Sequence, residues 1–154
     1  MATVYSTQKT QWFSNNPTER TKTNEFAGRV RVAYGEYEAS SLASGDVIEM
    51  FNLPSGARII SGKLCHDALG GSTTLSVGYA AHTDSAGSAV SAAAAGFKAA
   101  AASTGAQCVD VAATLALLNG SEVNANQNGM PVTVTMGGAA GTGTITLTML
   151  YVTD

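Results

Sequence analysis

Charge is what this chain has least of. Asp, Glu, Lys and Arg make up 12% of its 154 residues, about half the usual share of roughly 25%. Low charge with 17 glycines and few aromatics would fit a disordered chain only if apolar residues were scarce too. They make up 45%, so a packed domain is expected. A surface this poor in charge implies partial cover by other protein, because a free monomer needs more charge for solubility. Cysteine is also sparse. Cys65 and Cys108 lie in apolar, strand-like context and read as reduced, buried small hydrophobes; a disulfide is disfavoured in a protein made in a cytosol. The N-terminus lacks the apolar core of a signal peptide. No run reaches the length of a membrane span, since Ala89–Ala102 is interrupted by Ser91, Gly96 and Lys98. A single soluble, unprocessed domain large enough to bury a core is expected.

Catalytic and metal chemistry is equally thin. Serines are abundant, but none sits in a Gly-x-Ser-x-Gly elbow, and a nucleophilic triad needs a base and an orienting acid beside the nucleophile. His66-Asp67 and His82-x-Asp84 are the only His/Asp neighbours; adjacent residues of a strand point to opposite faces, and Asp67 reads as the start of a turn. A zinc site would require Cys65, His66, His82 and Cys108 to converge, which the opposed faces of Cys65 and His66 disfavour. Asn124–Gly129 offers amides but no carboxylate for calcium. Gly70-Gly71-Ser72 and Gly137–Gly143 lack the Gly-Lys-Ser/Thr ending of a phosphate loop and read as turns. Asn119-Gly120-Ser121 fits the glycosylation triplet by chance. No enzyme activity, cofactor or metal is expected.

What is present is a division of charge. Residues 1–31 carry Lys9, Arg20, Lys22, Arg29 and Arg31 against Glu19 and Glu25, a net of +3, and the remainder carries −6. Residues 1–28 are polar and aperiodic, with Trp12 and Phe13 as isolated aromatics, Pro17 as a breaker and a short helical turn conceivable over Thr18–Glu25. This reads as an extended arm that docks on an acidic neighbour, with Trp12, Phe13, Arg20 and Lys22 as its contact residues. The aromatic pair packs either on the arm's own domain or on a neighbouring protein. The acidic body argues against nucleic-acid binding, which needs a basic face with interleaved aromatics.

From Arg29 the pattern has period two, as a strand requires. Val30, Val32 and Tyr34 point one way, Arg29, Arg31 and Ala33 the other. Further strands are read over Val47–Leu53, Arg58–His66, Thr73–Tyr79, Gln107–Leu118, Val132–Met136 and Thr144–Val152. The turns between them lie at Pro54–Ala57, Gly70–Ser72, Asn119-Gly120 and Gly137–Gly143. Ile59, Ile60, Leu64 and Leu69 supply apolar mass for a buried strand. Ala89–Ala102 reads either as one or two short helices split at Gly96, from the high helix propensity of Ala, or as a long ordered loop. Seven or eight short strands predict an all-β antiparallel sandwich over residues 29–154, with a jelly roll favoured over an immunoglobulin-like sandwich, preceded by the arm of residues 1–28.

The stretch Leu53-Pro54-Ser55-Gly56-Ala57-Arg58-Ile59, followed by Asp67-Ala68-Leu69-Gly70-Gly71-Ser72-Thr73-Thr74-Leu75-Ser76-Val77-Gly78, resembles capsid decoration (cement) proteins of tailed bacteriophages, of the marine and cyanophage type. The resemblance extends more loosely to Arg29–Tyr37 and Thr144–Val152. It implies a virion structural protein, commonly a homotrimer, on the outer capsid surface, clamping neighbouring major capsid subunits after synthesis in the bacterial host cytoplasm. No nucleic-acid or membrane partner is expected. A tail or fibre component of the same virion and a carbohydrate-binding β-sandwich module are the alternatives; the second needs exposed aromatics on a face or loop.

Overall fold

A computed structural model describes residues 3–114 and 121–153. Ten strands follow the arm: β1 (Val30–Leu42), β2 (Val47–Leu53), β3 (Arg58–His66), β4 (Thr73–Tyr79), β5 (His82–Thr83), β6 (Ala89–Val90), β7 (Ala93–Ala102), β8 (Gln107–Val111), β9 (Met130–Gly138) and β10 (Gly141–Val152). Two four-stranded antiparallel sheets, ordered β1-β10-β3-β8 and β2-β9-β4-β7, enclose the core, and β5-β6 form a small hairpin. The order is that of a jelly roll.

The core follows from strand alternation. On β10, Ile145, Leu147 and Met149 face in and are fully buried, while the intervening threonines face out. Val132, Val134 and Met136 of β9 and Leu75 and Val77 of β4 complete the opposing layer. On β3 the alternation breaks. The pairing with β10 shifts between Leu150 and Tyr151, opposite Ser61 and Ile59, so Ile60 occupies a bulge. Ile59 and Leu64 are thereby both buried, whereas Ile60, expected to add to the buried mass, is exposed.

The Pro54–Ala57 turn forms as expected. The Ala57 amide donates to the Pro54 carbonyl at 3.2 Å, and Gly56 takes φ +76°, a left-handed conformation that disfavours a side chain. The Gly56 amide also donates to the Val123 carbonyl, and the Val123 amide to the Ala57 carbonyl, both at 2.8 Å. This draws residues 121–123 alongside the start of β3 and sets Glu122 opposite Arg58.

Four further expectations are corrected. Ala89–Ala102 is neither helix nor loop but β6 and β7. Helix propensity favours Ala by tenths of a kcal/mol per residue, whereas pairing with β4 and burial of Phe97 reward the strand. The small side chains also let the backbone come close: a Cβ on Gly78 would lie 1.8 Å from the Ala93 carbonyl oxygen. The strand expected over Gln107–Leu118 ends at Val111, where Ala112 turns into positive φ; Leu115, Leu117 and the Asn119-Gly120 turn lie outside the described residues. Cys65 and Cys108 are not reduced. They are cross-strand neighbours in the β3–β8 register and form a disulfide. Finally, the arm is not simply extended: it holds a helix, α1 (Thr7–Trp12), and a 3-10 turn at Pro17–Glu19.

Candidate interaction surface

The arm is built from local caps. The Ser6 hydroxyl accepts from the Lys9 amide at 3.2 Å and opens α1, and the Asn16 side chain accepts from the Thr18 amide and hydroxyl at 3.2 and 2.9 Å. Such caps satisfy the first free N–H groups of a helical turn. The four arm residues singled out from the sequence sit in different environments. Trp12 packs on Phe26 with ring centroids 4.5 Å apart, yet both rings stay more than half exposed. Phe13 is exposed, with the Lys9 ammonium 4.5 Å above its ring. Arg20 is exposed. Lys22 reaches the body of its own chain: its ammonium lies 3.1 Å from both carboxylate oxygens of Glu122.

Lys22 is joined by further ties at the arm's base. Asn24 donates to Glu122 at 2.8 Å, and Arg58 pairs with Glu25 at 3.2 Å. The hydrogen bond from Asn24, followed by that from Lys22, holds the Glu122 carboxyl below its ordinary 4.5. A cavity of about 400 Å³ lies next to Glu122, lined by Tyr79, His82, Phe97 and Asn124 among others. Two polar groups on its wall have partners: Asn124 accepts from Ser85, and a His82 ring nitrogen, Nδ1, lies 3.0 Å from the Ala80 carbonyl. A second hollow of about 440 Å³ lies within the arm, between Trp12, Phe26, Lys9 and Thr21.

The remaining His66 is buried, with Nδ1 2.8 Å from the Asp67 carbonyl. Asp67 accepts from the Thr144 amide at 3.0 Å and so ties the end of β3 to β10. Among the described residues no three His, Cys, Asp or Glu side chains gather around a common point. No helix among them is long and apolar enough to cross a membrane.

One surface escaped the sequence reading. Period two on β1 implied one apolar face, but not which way it points. Ala33, Gly35 and Ala39 face the core side, where a Cβ on Gly35 would lie 2.9 Å from the Met50 carbonyl oxygen. Val30, Val32 and Tyr34 therefore project to the outside of the sheet and are exposed, with Leu150 opposite Val32 and the bulged Ile60 also exposed. The Tyr34 hydroxyl donates to Glu36 at 2.6 Å, which raises the Tyr34 pKa above its ordinary 10.0. An inward-facing run of small residues opposite large β-branched ones was the available signal.

No family model and no curated protein matches the chain. Solved structures do. A chain in the capsid of Ralstonia phage GP4 is 24% identical and superposes with a TM-score of 0.62 over 82% of this chain and 86% of its own. A chain in the capsid asymmetric unit of cyanophage Pam1 is 19% identical, with a TM-score of 0.54 over 84% and 88%. One in the acid-stable capsid of Helicobacter pylori bacteriophage KHP30 is 18% identical, with a TM-score of 0.52 over 80% and 86%. The fold of this chain is thus one found in phage capsids, in agreement with the resemblance carried by Leu53–Gly78.

Proposed function

We propose that this protein is a virion structural protein that decorates a bacteriophage capsid, binding across neighbouring major capsid subunits from the outer surface as a homotrimer. The observation that carries the reading is the jelly roll shared with chains of three phage capsids. The exposed apolar residues of β1 and the arm support it, because contiguous bare apolar surface on a soluble domain marks an interaction site. The mechanism is binding alone. Each clip buries apolar surface across a joint between capsomers, worth about 25 cal/mol per Å² before ordering costs, and repetition over the shell adds avidity.

The arm is the contact element in this reading. Trp12 and Phe13 are its apolar anchors and Arg20 an exposed cation, while Lys22 fixes the base of the arm so that the anchors are presented at a defined place. The sparsely charged region after Lys98 faces other subunits of the trimer. The test is addition of purified protein to particles that lack it. Saturable binding at hundreds of copies per particle supports decoration; binding at a few copies indicates a tail or fibre position; no binding defeats the reading. Removal of residues 3–21 should leave a folded β-domain that binds particles at least tenfold more weakly.

A further inference from the structure

The outer edge of β1 and the segment leading to the α1 cap Ser6 complement each other, and among the described residues neither is paired in a sheet on that side. Val30, Val32 and Tyr34 are 60%, 61% and 59% exposed. β1 pairs with β10 alone, so among the described residues the opposite edge of Val30–Tyr34 has no partner strand. An open edge of β-branched and aromatic residues is a template for another strand. The chain's own arm does not fill it, because its base is tied to Arg58 and Glu122. The segment Thr3-Val4-Tyr5-Ser6 is likewise β-prone and outside every sheet, with Val4 88% and Tyr5 62% exposed. Charge matches as well. Lys9 and Arg20 have no carboxylate partner among the described residues, while Glu36 and Glu38, next along β1, accept from the hydroxyls of Tyr34 and Thr144 and pair with no cation among those residues.

We propose that Thr3–Ser6 of one copy adds as a strand to the Val30–Tyr34 edge of a second copy, bringing Lys9 and Arg20 near that copy's Glu36 and Glu38. Main-chain hydrogen bonds supply the affinity, and alternating Val and Tyr side chains set the register. Passed from copy to copy, such a contact closes into a ring when three copies complete one turn, as the homotrimer proposed above requires. The inference deepens the self-association proposed above and is independent of what the capsid supplies.

The experiment is light scattering of the full chain during gel filtration, beside two variants: Val32→Glu, and a deletion of residues 2–6 that removes no sheet residue. The wild type should run at a multiple of 15.6 kDa, and both variants at the mass of one chain with unchanged circular dichroism. Should Val32→Glu fail to fold, the deletion decides alone. Mixing Val4→Cys chains with Val32→Cys chains under mild oxidation should give a disulfide-linked pair of the two different chains. A monomeric wild type, an oligomer that survives the deletion, or failure of the mixed chains to cross-link overturns the proposal. Particle binding separates the two readings: monomeric variants that still bind particles leave decoration standing, and an intact oligomer that binds none defeats decoration but not strand exchange.

Discussion

The sandwich and the arm are held by different physics. In the sandwich, Leu53, Leu75, Val132, Leu147 and their neighbours are removed from water altogether, and antiparallel ladders satisfy the backbone between them. In the arm, α1 buries no residue; the Trp12–Phe26 contact lies within the arm itself, and the ties to the sandwich among the described residues include two ion pairs and the Asn24 hydrogen bond. Burial of apolar surface involves no titrating group and is not weakened by charge screening, whereas partly exposed ion pairs are weakened by salt and by protonation of the acid. The expectation is that the sandwich acts as a fixed platform and that solution conditions can release the arm without unfolding what carries it.

The largest effects should come from the core. Leu147→Ala should destabilise the protein by about 2–5 kcal/mol, the usual range for a cavity left by a buried leucine, read by thermal or denaturant melts. A cost under 1 kcal/mol would mean that the two sheets do not share one tight core. Next is the disulfide. Cys65–Cys108 closes a separation of 43 residues that contains β4 to β7, for which chain-entropy arguments give about 4 kcal/mol. Reduction should lower the melting temperature markedly; an unchanged melt would place the thiols apart in solution. Gly56→Val should cost about 1–3 kcal/mol for a strained backbone alone, because nothing lies within 4 Å of the added carbon.

The smallest effect on stability should come from the arm, and it sharpens the comparison most. Glu122→Gln removes the carboxylate shared by Lys22 and Asn24 and should change global stability by less than about 1 kcal/mol. Proteolysis within residues 3–24 should nevertheless accelerate. Acid should do the same. The pKa of Glu122 is lowered in the folded state, so its contribution is present above the ordinary 4.5 and fades as pH falls through the lowered value. Fluorescence of Trp12, the single tryptophan, should shift below that range while the far-ultraviolet β signal persists. Coincident transitions would show that arm and sandwich are one cooperative unit.

The parts legible in the sequence were those where local pattern and burial agree. Thr144–Met149 alternates because Ile145, Leu147 and Met149 are buried while the threonines between them are partly exposed, and Val132–Met136 keeps the same period although Thr133 is buried too. The Pro54–Ala57 turn was legible because Gly56 answers a backbone demand that no neighbour changes. Ala93–Ala102 was not, since its identity as a strand depends on β4, and Ala reports helix preference when read alone. Cys65 and Cys108 were read by compartment rather than by register; once β3 and β8 are neighbours, the two fall directly opposite. Of the four arm residues, only the engagement of Lys22 within the chain contradicts the simplest picture of a free docking arm. Its partner Glu122 is a hundred residues away, and no local signal links them.

The pairing of β1 with β10 carries a consequence for the birth of the molecule. Val30 lies opposite Val152, and Tyr37 opposite Ile145, so these contacts span more than a hundred residues, and β10 is also the strand that joins β1 to β3. Contacts of such long range close slowly, because loop entropy must be overcome before they form. While the chain is being synthesised, β1 and β3 have no shared neighbour, and the sheet they belong to stays open until its last strand is made. The other sheet has the β4–β7 pair to start from, between segments less than thirty residues apart. Assembly should then run from that half outward, and shortening β10 by even a few residues should trap a chain with one sheet complete and the other in pieces.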